Sequence, residues 1–278
     1  MPDAPLRFCL AGANGRMGRT LLRLIAERDD MVVTAATTRA DDPDLGKDAG
    51  TVAGLPPLDL PLTADIADAV ATCDGILDFT TPQATLLHGR EGAARGRFMV
   101  SGTTGIDGLA MAALEALAKR MPIFHTGNFS VGIAVLARAV EAAVRELGPG
   151  FDVEVIDYHH RHKVDSPSGT ALMLGEAAAR ARDVELGSAA IRGRDGQTGA
   201  RPDGGIGFAG IRGGSIIGQH DVVLAGPAER LVFSHMAEDR SLFAEGALRA
   251  ARWLADQPPG LYGMSDLFSP PSGNTPRA

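Results

Sequence analysis

The sequence predicts an α/β protein in two domains, a parallel sheet layered by helices and then an α+β domain on an open mixed sheet. Three observations carry this prediction. Short apolar runs alternate with segments of helical periodicity over residues 7–125, a glycine-rich loop joins the first run to the first helix, and beyond Gly150 strands follow one another with a single helix among them. At 278 residues the chain has room for about two domains of ~150 residues. With 45% hydrophobic and 22% charged residues it has the composition of a globular chain rather than a disordered one.

In order, residues 7–12 form an apolar run closed by glycine, and 17–27 carry Met17, Leu21, Leu24 and Ile25 at helical spacing. A second strand is predicted at 31–36, and the polar, Gly- and Pro-rich stretch 41–62 reads as an irregular excursion. Strands follow at 75–79, 97–101 and 122–125. The helices between them, 82–95 and 107–120, open on Pro82 in the first turn and on Asp107 as a cap. A long Ala- and Val-rich helix, 131–147, ends at Gly148-Pro149-Gly150. The second domain then reads as strands at 151–158, 206–212, 215–224 and 230–234, with a helix at 167–182. An alanine-rich helix at 241–254 has the character of the first half, so the C-terminal segment is expected to return there. The expected domains are 1–129 completed by 240–278, and 130–239. The tail from Ser269, rich in Pro, Ser, Gly and Asn, is expected to be disordered.

The loop Gly12-Ala13-Asn14-Gly15-Arg16-Met17-Gly18 has the spacing GxxGxxG between strand and helix. Glycine lets the backbone turn sharply and approach a pyrophosphate, whose charge the N–H groups of the helix start then stabilise. This makes the first domain Rossmann-type; Arg16 and Arg19 could add charge-assisted bonds to phosphate. The alternative is a tight turn without ligand. About 20 residues on, where a ribose-binding acid is usual, the chain has Thr37-Thr38-Arg39, with no carboxylate before Asp41. Arginine's planar fork suits a 2′-phosphate, so NADPH is expected over NADH, unless Arg39 is simply solvated.

Three of the seven histidines fall in His159-His160-Arg161-His162-Lys163, at the end of an alternating strand. Directly downstream, Asp165-Ser166-Pro167-Ser168-Gly169-Thr170 has the form of a helix start, with Ser166 as N-cap, Pro167 at the first position and the first-turn N–H groups of Gly169 and Thr170 facing an anion. Basic side chains beside a helix start make a carboxylate site. A metal on His160 and His162 lacks further ligands, so none is expected, and a solvated strand end is the remaining alternative. The cluster supplies an imidazole titrating near neutrality and an ammonium that can donate a proton, the groups needed to complete a hydride transfer. An aldehyde dehydrogenase would need a reactive thiolate, and neither Cys9 nor Cys73 has that context. A short-chain dehydrogenase would need Tyr three residues before Lys on a helix, whereas Tyr158 precedes Lys163 by five on a strand.

These residues resemble the 4-hydroxy-tetrahydrodipicolinate reductase (dihydrodipicolinate reductase) family nearly end to end. The likeness rests on the glycine loop, Asp78-Phe79-Thr80, Gly102-Thr103-Thr104-Gly105, Asn128-Phe129-Ser130-Val131-Gly132 and above all the segment 159–171, with Arg240, Phe243 and the closing 260–264. The resemblance implies a nucleotide domain, a substrate and tetramerisation domain, hinge closure between them, and a homotetramer. It implies roles too. Gly12 to Met17 would hold the pyrophosphate, Thr38 and Arg39 the adenosine ribose or its 2′-phosphate, and Gly102, Thr103, Thr104 with Thr126, Gly127, Asn128 and Phe129 the nicotinamide side. His159 would be acid/base and Lys163 proton donor, while His160, Gly169 and Thr170 would bind the carboxylates of a small dicarboxylate substrate. The implied reaction is NAD(P)H-dependent reduction of the 4-hydroxy ring to tetrahydrodipicolinate with loss of water, in lysine synthesis through diaminopimelate. Many family members carry an acid where this chain has Thr38, which supports the NADPH preference. Alternatives are reduction of another small dicarboxylate, or a non-catalytic NADPH sensor, which would have no need of the histidine cluster.

Other classes are excluded by composition. Twenty-seven Lys and Arg against 34 Asp and Glu give a net charge of −7, which repels phosphate backbones, and one Trp and two Tyr make a poor base-stacking platform. No window approaches the ~18 apolar residues of a membrane span, and two cysteines at no metal or CxxC spacing suit a reducing compartment, so the cytoplasm is expected.

Overall fold

A computed structural model describes residues 4–268. The chain divides into two units, one from the described parts of Met1–Phe129 and Ser241–Ala278, the other Ser130–Arg240.

In the first unit, β1 (Leu6–Ala11), α1 (Arg16–Ala26), β2 (Met31–Thr37), α2 (Ala49–Ala53), β3 (Leu62–Thr63), α3 (Ile66–Ala71), β4 (Gly75–Asp78), α4 (Pro82–Ala94), β5 (Phe98–Ser101), α5 (Gly108–Ala118) and β6 (Pro122–His125) alternate along the chain. The strands form one sheet in the order β12-β6-β5-β4-β1-β2-β3, every pair parallel, with β12 (Gly260–Tyr262) added beside β6 by the returning C-terminal segment. Phe8, Cys9, Leu10 and Ala11 are fully buried, as a parallel strand covered on both faces requires. Cys73 is buried as well, and both thiols are free. The strand order reverses at β1, and the carboxyl ends of the strands there open a crevice of the kind in which doubly wound sheets bind ligands.

The stretch 41–62 is more ordered than predicted. It contains α2, capped by Asp48, whose carboxylate also takes the N–H groups of Leu58 and Leu60, and it ends in β3. Five-residue and two-residue elements are too short to show a period, which is why α2, β3 and the six-residue α3 escaped prediction.

The second unit begins with α6 (Val131–Leu147), capped by Ser130, and continues through β7 (Asp152–His159), α7 (Gly169–Ala181), α8 (Leu186–Ala189), β8 (Ala190–Ile191), β9 (Ile206–Arg212), β10 (Gln219–Ala225) and β11 (Arg230–Met236). Its sheet is mixed, in the order β11-β10-β7-β9-β8, with β10 antiparallel to β7 and β11, and β9 parallel to β7 and β8. Val140, Val144, Leu174, Val153, Val155, Val222 and Leu224 form the core between sheet and helices. α9 (Ser241–Leu254) then returns the chain to the first unit, burying Ala244, Ala247, Ala250 and Ala251.

Two expectations are corrected. Ser168, not Ser166, caps α7, and the helix starts at Gly169 rather than Pro167; the Ser166–Pro167 peptide is cis. The physical reason is Asp157, whose buried carboxylate takes the Ser168 N–H and leaves the Ser168 hydroxyl to accept from Ala171. β10 begins at Gln219 rather than 215 because Gly214, at φ +50°, turns the chain after β9. The tail predicted to be disordered lies outside the described residues.

Candidate active site

In the first unit the glycine loop is built by close approach. Gly12 has φ +70°, and a Cβ on Gly18 would lie 2.3 Å from the Gly12 carbonyl oxygen, so only glycine lets α1 seat against the loop. Ala13 is buried and donates to Thr37, and Gly15 donates back to Gly12. Gly15 is the N-cap of α1 without a side-chain cap bond, and Arg16 and Met17 open the helix. A cleft of about 520 Å³ brings together Gly12, Asn14, Gly15, Thr38 and Arg39 with Asp42, Phe79, Thr80 and His88. Gly12 and Gly15 at the cleft wall, a helix start without a side-chain cap and a cleft of this size fit a dinucleotide. Arg19 departs from expectation: its Nε donates to the Asn14 carbonyl at 2.8 Å and its guanidinium lies 3.7 Å from Asp44, so it braces the loop from within the protein. Thr38 donates to Asn14 Oδ1 at 2.9 Å, and Arg39 is 76% exposed.

Asp78, at the end of β4, organises the loops beside this cleft. Its buried carboxylate accepts from Thr80 (2.6 Å), Thr85 (2.5 Å), Ser101 (3.2 Å) and Thr103 (3.2 Å), and lies 3.0 Å from His88 Nδ1. Burial pushes its pKa up, but the His88 ring and the hydroxyls outweigh it and hold the carboxyl below the usual range. Gly102 donates to the Asp78 carbonyl, and a Cβ there would strike the Phe79 ring at 2.1 Å. Phe129 packs between Phe79 and Phe124 at ring distances of 5.5 and 5.8 Å. Thr126 accepts from the Asn128 N–H at 3.1 Å, and a Cβ on Gly127 would lie 4.0 Å from Thr104. The two predicted nicotinamide loops, 102–104 and 126–129, therefore stand side by side.

In the second unit, alternation along β7 turns Val153, Val155, Asp157 and His159 to the buried face. Asp157 accepts from Ser168 N and from Arg212 Nη1, both at 2.5 Å, and its Oδ1 lies 3.9 Å from His159 Nδ1. Arg212 also donates to the Asp165 carbonyl at 2.7 Å, while Lys163 pairs with the Asp165 carboxylate at 2.8 Å. The His159 ring meets His220 edge-on at 5.2 Å, and His220 Nε2 lies 3.2 Å from the Ser168 hydroxyl that caps α7. One polar network thus ties His159 and Lys163 to the first turn of α7, Gly169 and Thr170. His160 stacks obliquely on His162 at 6.2 Å. Among the described residues no group of three or more His, Cys, Asp or Glu is placed to hold a metal.

Burial lowers the His159 pKa, Lys163 and Arg212 push the same way, and Asp157 and Asp165 oppose them. His220, more deeply buried and facing His159, falls to about 4. Asp157 is held below the usual range despite its burial by Arg212 and Ser168. At neutral pH the His159 and His220 imidazoles are therefore neutral, beside the Arg212 guanidinium and the Lys163 ammonium.

The family description "Dihydrodipicolinate reductase, N-terminus" matches residues 6–129, and "Dihydrodipicolinate reductase, C-terminus" matches 132–268. The chain belongs to the dihydrodipicolinate reductase family. A 4-hydroxy-tetrahydrodipicolinate reductase of Methylocella silvestris is 48% identical over 263 residues, 95% of this chain and 97% of its own. One of the same name from Rhizobium rhizogenes is 48% identical over 270 residues, 96% and 98% of the two chains. A dipicolinate-bound dihydrodipicolinate reductase from Paenisporosarcina shares the fold, with a TM-score of 0.76 at 22% identity over 94% of this chain and 99% of that one. The chain is accordingly an oxidoreductase of the dihydrodipicolinate reductase class, and its N-terminal half is a nucleotide-binding fold that indicates a pyridine nucleotide. Among the described residues no helix is long and apolar enough to cross a membrane.

Sequence reasoning missed Asp157, Arg212, Ser168 and His220 as members of the polar network around His159. Strand register carries the signal that a linear reading lacks, for Asp157 faces His220 across β7 and β10, and His159 faces Arg212 across β7 and β9. Asp78 was legible only as part of a motif; a carboxylate ending an apolar strand is the physical hint that it is bonded inside.

Proposed function

We propose that the chain reduces (2S,4S)-4-hydroxy-2,3,4,5-tetrahydrodipicolinate to (S)-2,3,4,5-tetrahydrodipicolinate with loss of water, in lysine synthesis through diaminopimelate, and that it uses both NADPH and NADH with NADPH preferred. The observation that carries this reading is the network in which Asp157 bonds both Arg212 and the N-cap of α7, beside His159 and Lys163. A planar ring with two carboxylates needs fixed donors at both ends, and the first turn of α7 with the basic segment provides them.

Gly12, Ala13, Asn14, Gly15, Arg16 and Met17 would hold the pyrophosphate, Thr38 and Arg39 the 2′ position, and 102–104 with 126–129 the nicotinamide. The bound dinucleotide supplies a hydride to ring C4. His160, Gly169 and Thr170 hold the carboxylates, and Lys163 exchanges Asp165 for the substrate. With the 4-hydroxyl and a C5 proton lost as water, the ring carries a C4=C5 double bond conjugated with its imine, and a hydride added at C4 would leave an enamine anion that takes a proton at C5. The Lys163 ammonium is the resident proton donor, and His159, neutral at pH 7, relays protons as acid/base. Exposed Ile211, Val232 and Met236 on the sheet of the second unit support a homotetramer, and the free buried cysteines suit the cytoplasm.

The test is to follow NADPH and NADH oxidation with substrate generated in place from pyruvate and aspartate semialdehyde by the preceding synthase. Rapid, substrate-dependent oxidation is expected. No oxidation by folded, NADPH-binding protein would contradict the reading and point to another dicarboxylate.

A further inference from the structure

We infer that Asp42 reads the 2′ position of the adenosine ribose and restrains the preference for NADPH, keeping NADH usable. The inference rests on the proposed binding of a dinucleotide in the cleft of the first unit. Asp42 lines that cleft with Gly12, Asn14, Thr38 and Arg39. Its side chain is 12% exposed, whereas that of the neighbouring Asp41 is 78% exposed. The carboxylate is held in place because its Oδ1 accepts from the Asp44 N–H at 2.9 Å. The position that ordinarily supplies the ribose acid holds Thr38, and its hydroxyl proton is directed to Asn14. Asp42 therefore brings a carboxylate to the same cleft from four residues further along.

Two consequences follow from its charge. The Asp44 N–H, then the Asn14 side chain, and more weakly the Arg39 charge hold the Asp42 carboxyl below the usual range, so it is ionised at neutral pH. An ionised carboxylate accepts hydroxyl donors and repels a phosphate dianion. In addition, the Arg39 guanidinium sits 4.0 Å from Asp42 and 3.4 Å from Asp41, so the charge it would offer a 2′-phosphate is partly offset. Removing the Asp42 charge strengthens NADPH binding on both counts and weakens the hold on a 2′-hydroxyl.

The test measures Kd for NADPH and NADH by calorimetry on the full chain, for the wild type, Asp42→Asn, Asp42→Ser and Asp41→Asn. Asn and Ser keep an acceptor for the Asp44 N–H, so the turn survives while the charge goes. Both Asp42 variants should shift the NADH/NADPH Kd ratio toward NADPH by about tenfold, equivalent to ~1.4 kcal/mol, with tighter NADPH and weaker NADH. Asp41→Asn should shift it less than about twofold, as expected of an exposed charge screened by solvent. An unchanged ratio in the Asp42 variants, or an equal shift in Asp41→Asn, would overturn the role of Asp42 while leaving nucleotide binding intact. Failure of the wild type to bind either nucleotide would instead overturn the cofactor reading, and the role of Asp42 with it.

Discussion

At Asp157 a single carboxylate, fully buried, serves the Arg212 guanidinium, the Ser168 N–H and, at longer range, the His159 ring. A charge so placed acts through its neighbours, so Asp157 is a positioning residue and its loss should read out in pH dependence. Asp157→Asn removes the larger of the two charges that raise the His159 pKa, leaving Asp165 alone against Lys163 and Arg212, which lower it. The acidic limb of the kcat/KM profile should therefore move to lower pH, and unfolding titrations should show a loss of about 2–3 kcal/mol from the unpaired Arg212. Asp157→Glu, which keeps the charge, should restore the position of the limb. For the imidazole itself, His159→Gln should cost about 100-fold or more in kcat, with the NADPH Kd unchanged; turnover near the wild-type value would remove its acid/base role. His159, His160 and Lys163 are legible in the sequence because they are contiguous. Asp157, Arg212 and His220 are not, because three separate strands bring them together.

Among the elements, those with a helical period or an apolar run bounded by turn residues were readable, and α2, β3 and α3 were not. α6, α9, β6 and β9 were predicted to the residue, since period and cap residues agree with the packing around them. The start of α7 was misplaced because two serines and a proline offer competing caps, and only the Asp157 bond to Ser168 decides between them. Close approach between elements is equally hidden in a sequence. Gly246 on α9 would place a Cβ 1.8 Å from the Phe129 carbonyl oxygen, and Gly18 on α1 would place one 2.3 Å from that of Gly12. Gly18→Ala should thus push α1 off the loop, costing about 1–3 kcal/mol in stability and weakening both dinucleotides together in calorimetry. Equal binding by Gly18→Ala would show that the loop tolerates the displacement.

For the whole molecule, acid should act in two stages. Below the ordinary imidazole pKa of 6.5 the unfolded chain binds a proton at His220 that the folded chain, with a pKa of about 4 there, does not. Stability from this group is complete above pH 6.5 and is lost as pH falls toward 4, about 3 kcal/mol in all. His159 and His235, also lowered, add in the same direction. Asp78 and Asp157, held below 3.8, add a second loss in more acid solution. Urea midpoints measured from pH 7 downward should fall before Asp78 and Asp157 titrate, and His220→Asn should flatten that first fall. The α/β architecture with its second mixed sheet was evident from the alternation of elements alone, whereas strand register, which builds the second site, was not.

Hydride delivery to C4 of a dicarboxylate ring can be followed with NADPH deuterated at the transferable position. Mass spectrometry and NMR of the product formed from the synthase-generated substrate should find one deuterium, at ring C4. Product without deuterium, or nucleotide consumed with the ring unchanged, would contradict it.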